Sequence, residues 1–179
     1  MNKRYPLIGL AGRARVGKDT AAGIIAALTR GYTYSFATPV RAMLAPLGID
    51  LNLPYWEARK DEFIPALGVS PRRLMQTLGT EWGRDTINPD IWLVMAQRRL
   101  HASGPGMVVS DIRFENEAAW VRKFGGCVLH ITRKDALAVE AHSSETPVPR
   151  FPEDITITND GTIEELRYAL EEVFGNGLS

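Results

Sequence analysis

Nine consecutive residues, Gly12-Arg13-Ala14-Arg15-Val16-Gly17-Lys18-Asp19-Thr20, contain the pattern G-x-x-x-x-G-K. That spacing suits phosphate chemistry. Glycines let successive backbone N–H groups curl round an anion, a following helix presents its partly positive N-terminus, and a lysine reaches the outer phosphates. The apolar run Leu7-Ile8-Gly9-Leu10-Ala11 precedes the pattern, and Ala21, Ile24, Ile25 and Leu28 recur behind it at helical spacing. Strand, glycine loop and amphipathic helix, in that order, are the context such a loop requires. The position after the lysine ordinarily holds Ser or Thr, whose hydroxyl helps bind Mg2+. Here it holds Asp19, and the hydroxyl follows at Thr20. Asp19 and Thr20 are both candidate metal ligands, Asp19 through water.

Other chemical groups stand where apolar runs end. Met107-Val108-Val109-Ser110-Asp111 reads as a buried strand closing on a carboxylate. Asp111 is placed to hold Mg2+ directly or through water; the alternative is a cap for the helix near Phe114. Arg113 can offer a planar fork to a phosphate, or pair with Glu115 or Glu117. The helix opened by Pro71 aligns Arg72, Gln76 and Thr80 four apart, beside Arg73, Thr77 and Arg84. Its apolar stripe is Leu74, Met75, Leu78 and Trp82. An ordinary surface helix would look like this. Beside a phosphate-transfer site, the arginines and the amide also suit an acceptor carrying a phosphate and a base. Trp82 could stack on that base, though the apolar stripe assigns it to the core. The long segment from Arg133 to Asp154 includes Arg133, Lys134, His142, Ser143, Ser144, Glu145 and Arg150. A connection of this length reads as a lid bringing arginines onto a phosphoryl group. His142 is assigned a hydrogen-bonding or structural role there, because an acceptor oxyanion needs no base.

The elements that must position these groups alternate along the chain. A helix is predicted over about Lys18 to Arg30, a strand over Tyr32–Phe36, and a short helix from Pro39 carrying Val40, Met43 and Leu44. Leu47 to Val69 is less regular. Ser70-Pro71 and Asn88-Pro89 read as helix starts. Val128–Thr132 and Ile155–Thr158 are the fourth and fifth strands, and Thr162-Ile163-Glu164-Glu165 is a capping box. The pattern predicts an α/β fold with a five-stranded, mostly parallel sheet and helices on both faces. Ligands of such sheets sit past the carboxyl ends of the strands, which gathers the phosphate loop, Phe36–Arg41, Asp111–Glu117, Arg133 and Asn159–Thr162 around one cleft.

Composition narrows the classes further. The 179 residues fit one domain with a full core, and 21 basic against 21 acidic residues give no charge pull toward nucleic acid or membrane. The single Cys127 lies in an apolar run, which excludes a disulfide framework and fits a reducing compartment. The N-terminal apolar run is too short for a signal peptide or a membrane span. A cytoplasmic location is expected.

Seven segments carry a family resemblance: Gly12–Thr20, Phe36–Arg41 (F-A-T-P-V-R), Leu74–Arg84 (L-M-Q-T-L-G-T-E-W-G-R), Asp90–Leu93 (D-I-W-L), Val109–Glu117 (V-S-D-I-R-F-E-N-E), His142–Glu145 (H-S-S-E) and Asn159–Thr162 (N-D-G-T). In these the chain resembles the deoxynucleoside monophosphate kinases of bacteriophages, a branch of the phosphate-loop nucleoside monophosphate kinases. The resemblance implies an adenylate-kinase-like fold in a single domain, with an acceptor-binding insertion over about 37–104 and a lid over about 133–154. It implies transfer of the γ-phosphoryl group of ATP, with Mg2+, to a deoxynucleoside 5′-monophosphate, in the host cytoplasm if the chain is phage-encoded. Gly12, Arg13, Ala14, Arg15, Val16, Gly17, Lys18, Asp19 and Thr20 would cradle ATP, with Asn159, Gly161 and Thr162 near its adenine. Asp111 would organise the metal, and Lys18, Arg113 and Arg133 would offset charge on the phosphoryl group. Phe36, Arg41, Arg72, Arg73, Gln76, Trp82, Arg84 and Glu145 would line the acceptor site. The partners implied are small nucleotides rather than nucleic acid or membrane, with a homodimer left open. Two alternatives stand beside this reading: a kinase of the same fold for another phosphorylated acceptor, and a nucleotide-hydrolysing DNA-binding or packaging module.

Overall fold

Apolar runs become five parallel strands of one sheet in the computed structural model, which describes residues 5–134 and 148–175. They are β1 (Leu7–Ala11), β2 (Tyr32–Tyr34), β3 (Met107–Ile112), β4 (Cys127–Thr132) and β5 (Ile155–Thr158), ordered β2-β3-β1-β4-β5. β1 is central and wholly buried, as a parallel strand covered on both faces must be. The helices are α1 (Lys18–Thr29), α2 (Ala37–Leu44), α3 (Pro54–Ala58), α4 (Pro71–Gln76), α5 (Ile91–Ser103), α6 (Glu115–Lys123) and α7 (Ile163–Phe174). No helix among the described residues is long and apolar enough to cross a membrane.

The chain divides into two compact units, one of Met1–Ser35 with Arg99–Ser179 and one of Phe36–Arg98. In the first, α1 and α7 cover one sheet face, packing Ala21, Ile25, Leu166 and Leu170 on Ile8, Leu10, Val108, Leu129, Ile131 and Ile157. Ile8 and Leu10 point to that face, so the intervening Gly9 belongs to the other. There Val121 of α6 lies over it. The expected capping box opens α7: Thr162 Oγ1 accepts from the Glu165 N–H at 3.2 Å, and the Thr162 N–H donates to Glu165 Oε2 at 2.7 Å. Cys127 is buried at the start of β4 as a thiol, outside any disulfide.

A buried ionic cluster, with no signature in residue spacing, ties the entry to β5 onto α6 and β4. Asp154 accepts from Arg122 Nε (3.1 Å) and Nη2 (2.7 Å), from the Phe151 N–H (3.0 Å), and lies 2.9 Å from His130 Nε2. Burial alone would raise the Asp154 carboxyl. The bonds from Arg122, Phe151 and His130 outweigh it and hold the group below the usual carboxylate range. Arg122 also lies 4.1 Å from the Phe151 ring.

From the end of β2 through the second unit the structure departs from the sequence reading. Pairing of β2 stops at Tyr34, and Phe36, expected to end the strand, is buried directly ahead of α2. Pro39, three residues on, favours helical backbone there and ends the extended run. Leu47–Val69 gains a 3-10 turn (Ala45–Leu47), α3 and an isolated antiparallel bridge, Ile64 to Val69. Leu44, Ile49 and Leu51 form the unit's core, with Leu74, Met75 and Leu78 packed against them. Ser70 caps α4 as expected, its Oγ accepting from the Arg73 N–H at 3.3 Å. Past Gln76 the helix widens to i→i+5 bonding over Thr77–Ile87, with the Asn88 N–H reaching Gly83 O at 3.0 Å. The four-residue stripe expected from Arg72 through Thr80 therefore breaks at Gln76. Trp82, assigned to the core, is 40% exposed. Trp92 takes the buried place: its indole donates to Gly79 O at 2.7 Å, and a Cβ on Gly83 would lie 2.6 Å from its ring.

Candidate active site

Between β1 and α1, Gly12–Gly17 turns back on itself. Gly12 (φ 148°), Arg15 (φ 63°) and Gly17 (φ 94°) all take positive φ, which glycine accepts at little cost; left-handed residues of this kind are what let backbone N–H groups converge on an anion. Lys18, first residue of α1, bends over the loop and donates to Gly12 O (2.8 Å) and Arg13 O (2.7 Å). Arg13, Arg15, Asp19 and Thr20 are exposed, the last two in the first turn of α1. Val16 anchors the loop in the core.

The loop is braced from the far end of the chain. Asn159, buried just past β5, donates through Nδ2 to Val16 O at 2.9 Å, and its own N–H donates to Thr132 O at 2.8 Å. Its amide stands where a Cβ on Gly17 would come within 2.5 Å. Gly161 and Thr162 continue from Asn159 to the N-terminus of α7, both exposed. After β4, the Lys134 N–H donates to Asp160 Oδ1 at 2.7 Å, its ammonium stands 3.3 Å from Oδ2, and both lower the Asp160 carboxyl. Arg133 beside it is exposed.

Asp111 lies within β3, one residue before its end, rather than after it. Its Oδ2 accepts from Ser35 Oγ at 2.6 Å. The cap that was its alternative role falls to Glu117, whose buried Oε2 accepts from the N–H groups of Arg113 (2.7 Å) and Phe114 (3.1 Å). The Arg113 side chain is exposed. Burial first, then the charge of Asp111, push the Tyr34 hydroxyl up to about 12, so it stays protonated at neutral pH. No cluster of three or more His, Cys, Asp or Glu that could hold a metal occurs among the described residues. Mg2+ does not need one, since it commonly takes one or two carboxylates and completes its octahedron with water and phosphate oxygens. Asp111, Asp19 and Thr20 are hard oxygen donors of that kind.

In the second unit three of the expected acceptor arginines, Arg41, Arg72 and Arg73, carry carboxylate partners. Arg41 donates to Glu57 Oε2 at 3.1 Å and to Leu51 O at 2.7 Å. Lys60 holds the other Glu57 oxygen. Arg72 forms a fork with Asp61, and Arg73 pairs with Glu81 at 2.6 Å. Partial burial works against the charge on Glu57, but Lys60 and Arg41 outweigh it and hold the group low. Arg72 lowers the Asp61 carboxyl in the same way. Gln76 is half-buried at the end of α4, and Arg84 Nη1 donates to Gly79 O at 3.3 Å. Phe36 is buried. Glu145, His142 and the rest of 135–147 lie outside the described residues.

Residues 63–170, more than half of the chain, match the deoxynucleotide monophosphate kinase family. The chain belongs to that family. A putative deoxynucleotide monophosphate kinase of Acanthamoeba polyphaga mimivirus is 28% identical over 178 residues, taking in 89% of this chain and 91% of its own. The deoxynucleotide monophosphate kinase of Escherichia phage RB69 is 29% identical over 154 residues, 84% of this chain and 57% of its own. The chain thus spans most of the mimivirus relative and little more than half of the phage protein. Among solved structures, the fold is similar to that of shikimate kinase from Aquifex aeolicus (TM-score 0.52, 15% identity, 96% of this chain and 98% of that one). It is equally similar to that of a gluconokinase from Sinorhizobium meliloti (TM-score 0.52, 14% identity, 97% of each chain). This deoxynucleotide monophosphate kinase family member therefore has a phosphate-loop kinase fold. Sequence reasoning passed over Ser35 and the Asn159–Val16 bond, because each depends on strands distant in sequence.

Proposed function

We propose that the chain transfers the γ-phosphoryl group of Mg-ATP to a deoxynucleoside 5′-monophosphate, yielding the diphosphate and ADP. The observation that carries this reading is the phosphate cradle of Gly12–Thr20 in a chain of this family. An oxygen of the acceptor phosphate attacks Pγ, the bond from Pγ to the β,γ-bridging oxygen breaks, and ADP leaves with that electron pair. The acceptor oxygen is already an anion, so no residue need remove a proton. Catalysis is then mainly positioning and charge stabilisation.

The cradle amides of Gly12–Gly17 bind the donor phosphates and Lys18 follows the charge on the β- and γ-phosphates. Asn159, Gly161 and Thr162 lie toward the nucleoside of ATP. Asp111, Asp19 and Thr20 hold Mg2+, which offsets phosphate charge when bound. Arg113 and Arg133 neutralise the phosphoryl group in transfer. Phe36–Arg98 is the acceptor unit: Arg41, Arg72 and Arg73 take the acceptor phosphate, exchanging their carboxylates for it, while Gln76, Trp82, Arg84 and Phe36 meet the sugar and base. Glu145 and the 133–154 lid complete the proposal.

A coupled assay of ADP release with each deoxynucleoside monophosphate in turn tests it. Acceptor-dependent release is the expected result, and Asp111→Asn should lower its rate about a hundredfold while sparing much of the ATP affinity. Release that ignores mononucleotides and rises with DNA would replace this reading with that of a packaging or DNA-binding module.

A further inference from the structure

Ser35 is the first residue past β2, and the β2–β3 register places Tyr34 opposite Val109. From there the Ser35 hydroxyl reaches Asp111 Oδ2, one residue before the end of β3, at 2.6 Å. That length belongs to a charge-assisted O–H···O− bond, stronger than a neutral one. The donor is itself neutral. A neutral donor fixes the direction of a carboxylate and adds no charge of its own. A carboxylate meant to hold a hard cation gains from a fixed plane. Partners that orient metal-binding carboxylates are commonly worth about ten- to a hundredfold in metal affinity or activity.

We infer that Ser35 is a positioning residue for the kinase reaction, holding Asp111 in the orientation that receives the nucleotide-bound divalent cation. The inference rests on the metal role proposed for Asp111. Ser35 does not touch the nucleotide. Its hydroxyl sets the Asp111 side-chain torsion before the metal nucleotide arrives, so that ordering is not taken from the binding energy of the metal. The backbone carries the same logic, since parallel pairing of β2 with β3 puts both residues at the carboxyl ends of neighbouring strands.

The test measures Mn2+ binding to the ADP complex by the electron paramagnetic resonance signal of free Mn2+, together with kcat against Mg2+ concentration. Thermal melts are recorded for every variant. Ser35→Ala should weaken Mn2+ binding about tenfold and raise the Mg2+ needed for half-maximal rate by a similar factor, with ADP affinity in the absence of metal unchanged. Ser35→Thr, which keeps the hydroxyl and suits a strand end, should restore both. Ser35→Cys, which fills the space with a poor donor, should behave as Ser35→Ala does and covers the case in which the alanine variant does not fold. Asp111→Asn separates the two claims. If it leaves Mn2+ binding intact, the metal role of Asp111 is wrong. If it weakens binding while Ser35→Ala and Ser35→Cys do not, that role stands and Ser35 is a structural contact. A lower melting temperature with unchanged metal dependence would likewise overturn the inference.

Discussion

At Gly12–Gly17 the groups proposed to meet a phosphate are backbone N–H groups, held by positive φ and by the buried Asn159 amide. In Phe36–Arg98 they are guanidinium groups already engaged with Glu57, Asp61 and Glu81. The first arrangement is ready for its ligand and cannot neutralise itself. In the second, a phosphate bound as proposed would replace an existing anion, so the net gain would be a difference between two ion pairs, screened by salt. A preorganised cradle suits a donor that the whole reaction depends upon. Exchangeable pairs suit an acceptor that must enter, react and leave.

The largest test of that contrast is Lys18→Ala. Phosphoryl transfer should fall by about 10²–10³-fold or more, while the melting temperature holds, because the ammonium's bonds to Gly12 O and Arg13 O are solvent-exposed. Near-normal turnover in a folded variant would remove the cradle from the mechanism.

Next comes the framework behind the cradle. Asp154→Asn takes the charge from a pair whose carboxylate side chain is 2% exposed, so unfolding free energy in urea should drop by about 3–5 kcal/mol at neutral pH. The Asp154 carboxyl is depressed, so its contribution is fully present above the ordinary carboxylate pKa of about 4 and is lost as pH falls through the lower folded-state value. Wild type should therefore lose stability more steeply than Asp154→Asn on acidification below about pH 4. Parallel acid limbs would show the cluster to be energetically neutral.

On the acceptor side, Gly83→Ala forces a methyl group against the Trp92 ring. A cost of about 1–3 kcal/mol is expected from overpacking, with acceptor KM disturbed more than ATP KM. Equal disturbance of both would erase the division of labour between the units.

The smallest effect should come from Arg72→Ala. Its Asp61 partner is exposed, so stability should move by less than about 1 kcal/mol. Acceptor KM should rise roughly tenfold with kcat little changed. The wild-type acceptor KM should climb with added NaCl more steeply than the ATP KM, and matched salt slopes would contradict the exchange of ion pairs.

Sequence reasoning succeeded where a few adjacent residues determine the outcome. The glycine loop, the Ser70 and Thr162 caps and the buried runs of β1, β3 and β4 are local patterns with local causes. It failed where a distant partner decides. Trp82 carries an apolar side chain at helical spacing, yet the widened helix exposes it, and Trp92 packs against Gly79 and Gly83 instead. Arg122, His130 and Asp154 come from α6, β4 and the approach to β5, and no spacing rule connects them. The arginines of the acceptor unit were visible as candidates, but not the carboxylates that engage them. Glu57 and Asp61 belong to the stretch with the least regular pattern.

The bond between Asn159 and Val16 spans 143 residues of chain, and this sets the timetable on which the protein can acquire its ligand. β1 emerges first from synthesis, but both of its neighbours, β3 and β4, come from the second half of the chain, and the amide that steadies the loop comes after β5. A truncated nascent chain that stops before Asn159 holds the complete G-x-x-x-x-G-K pattern without the brace that shapes it. Nucleotide capture by the proposed cradle would thereby be deferred until the C-terminal residues have docked. From that moment bound ATP would favour the finished form by mass action, the metabolite itself acting as the last fastening in assembly.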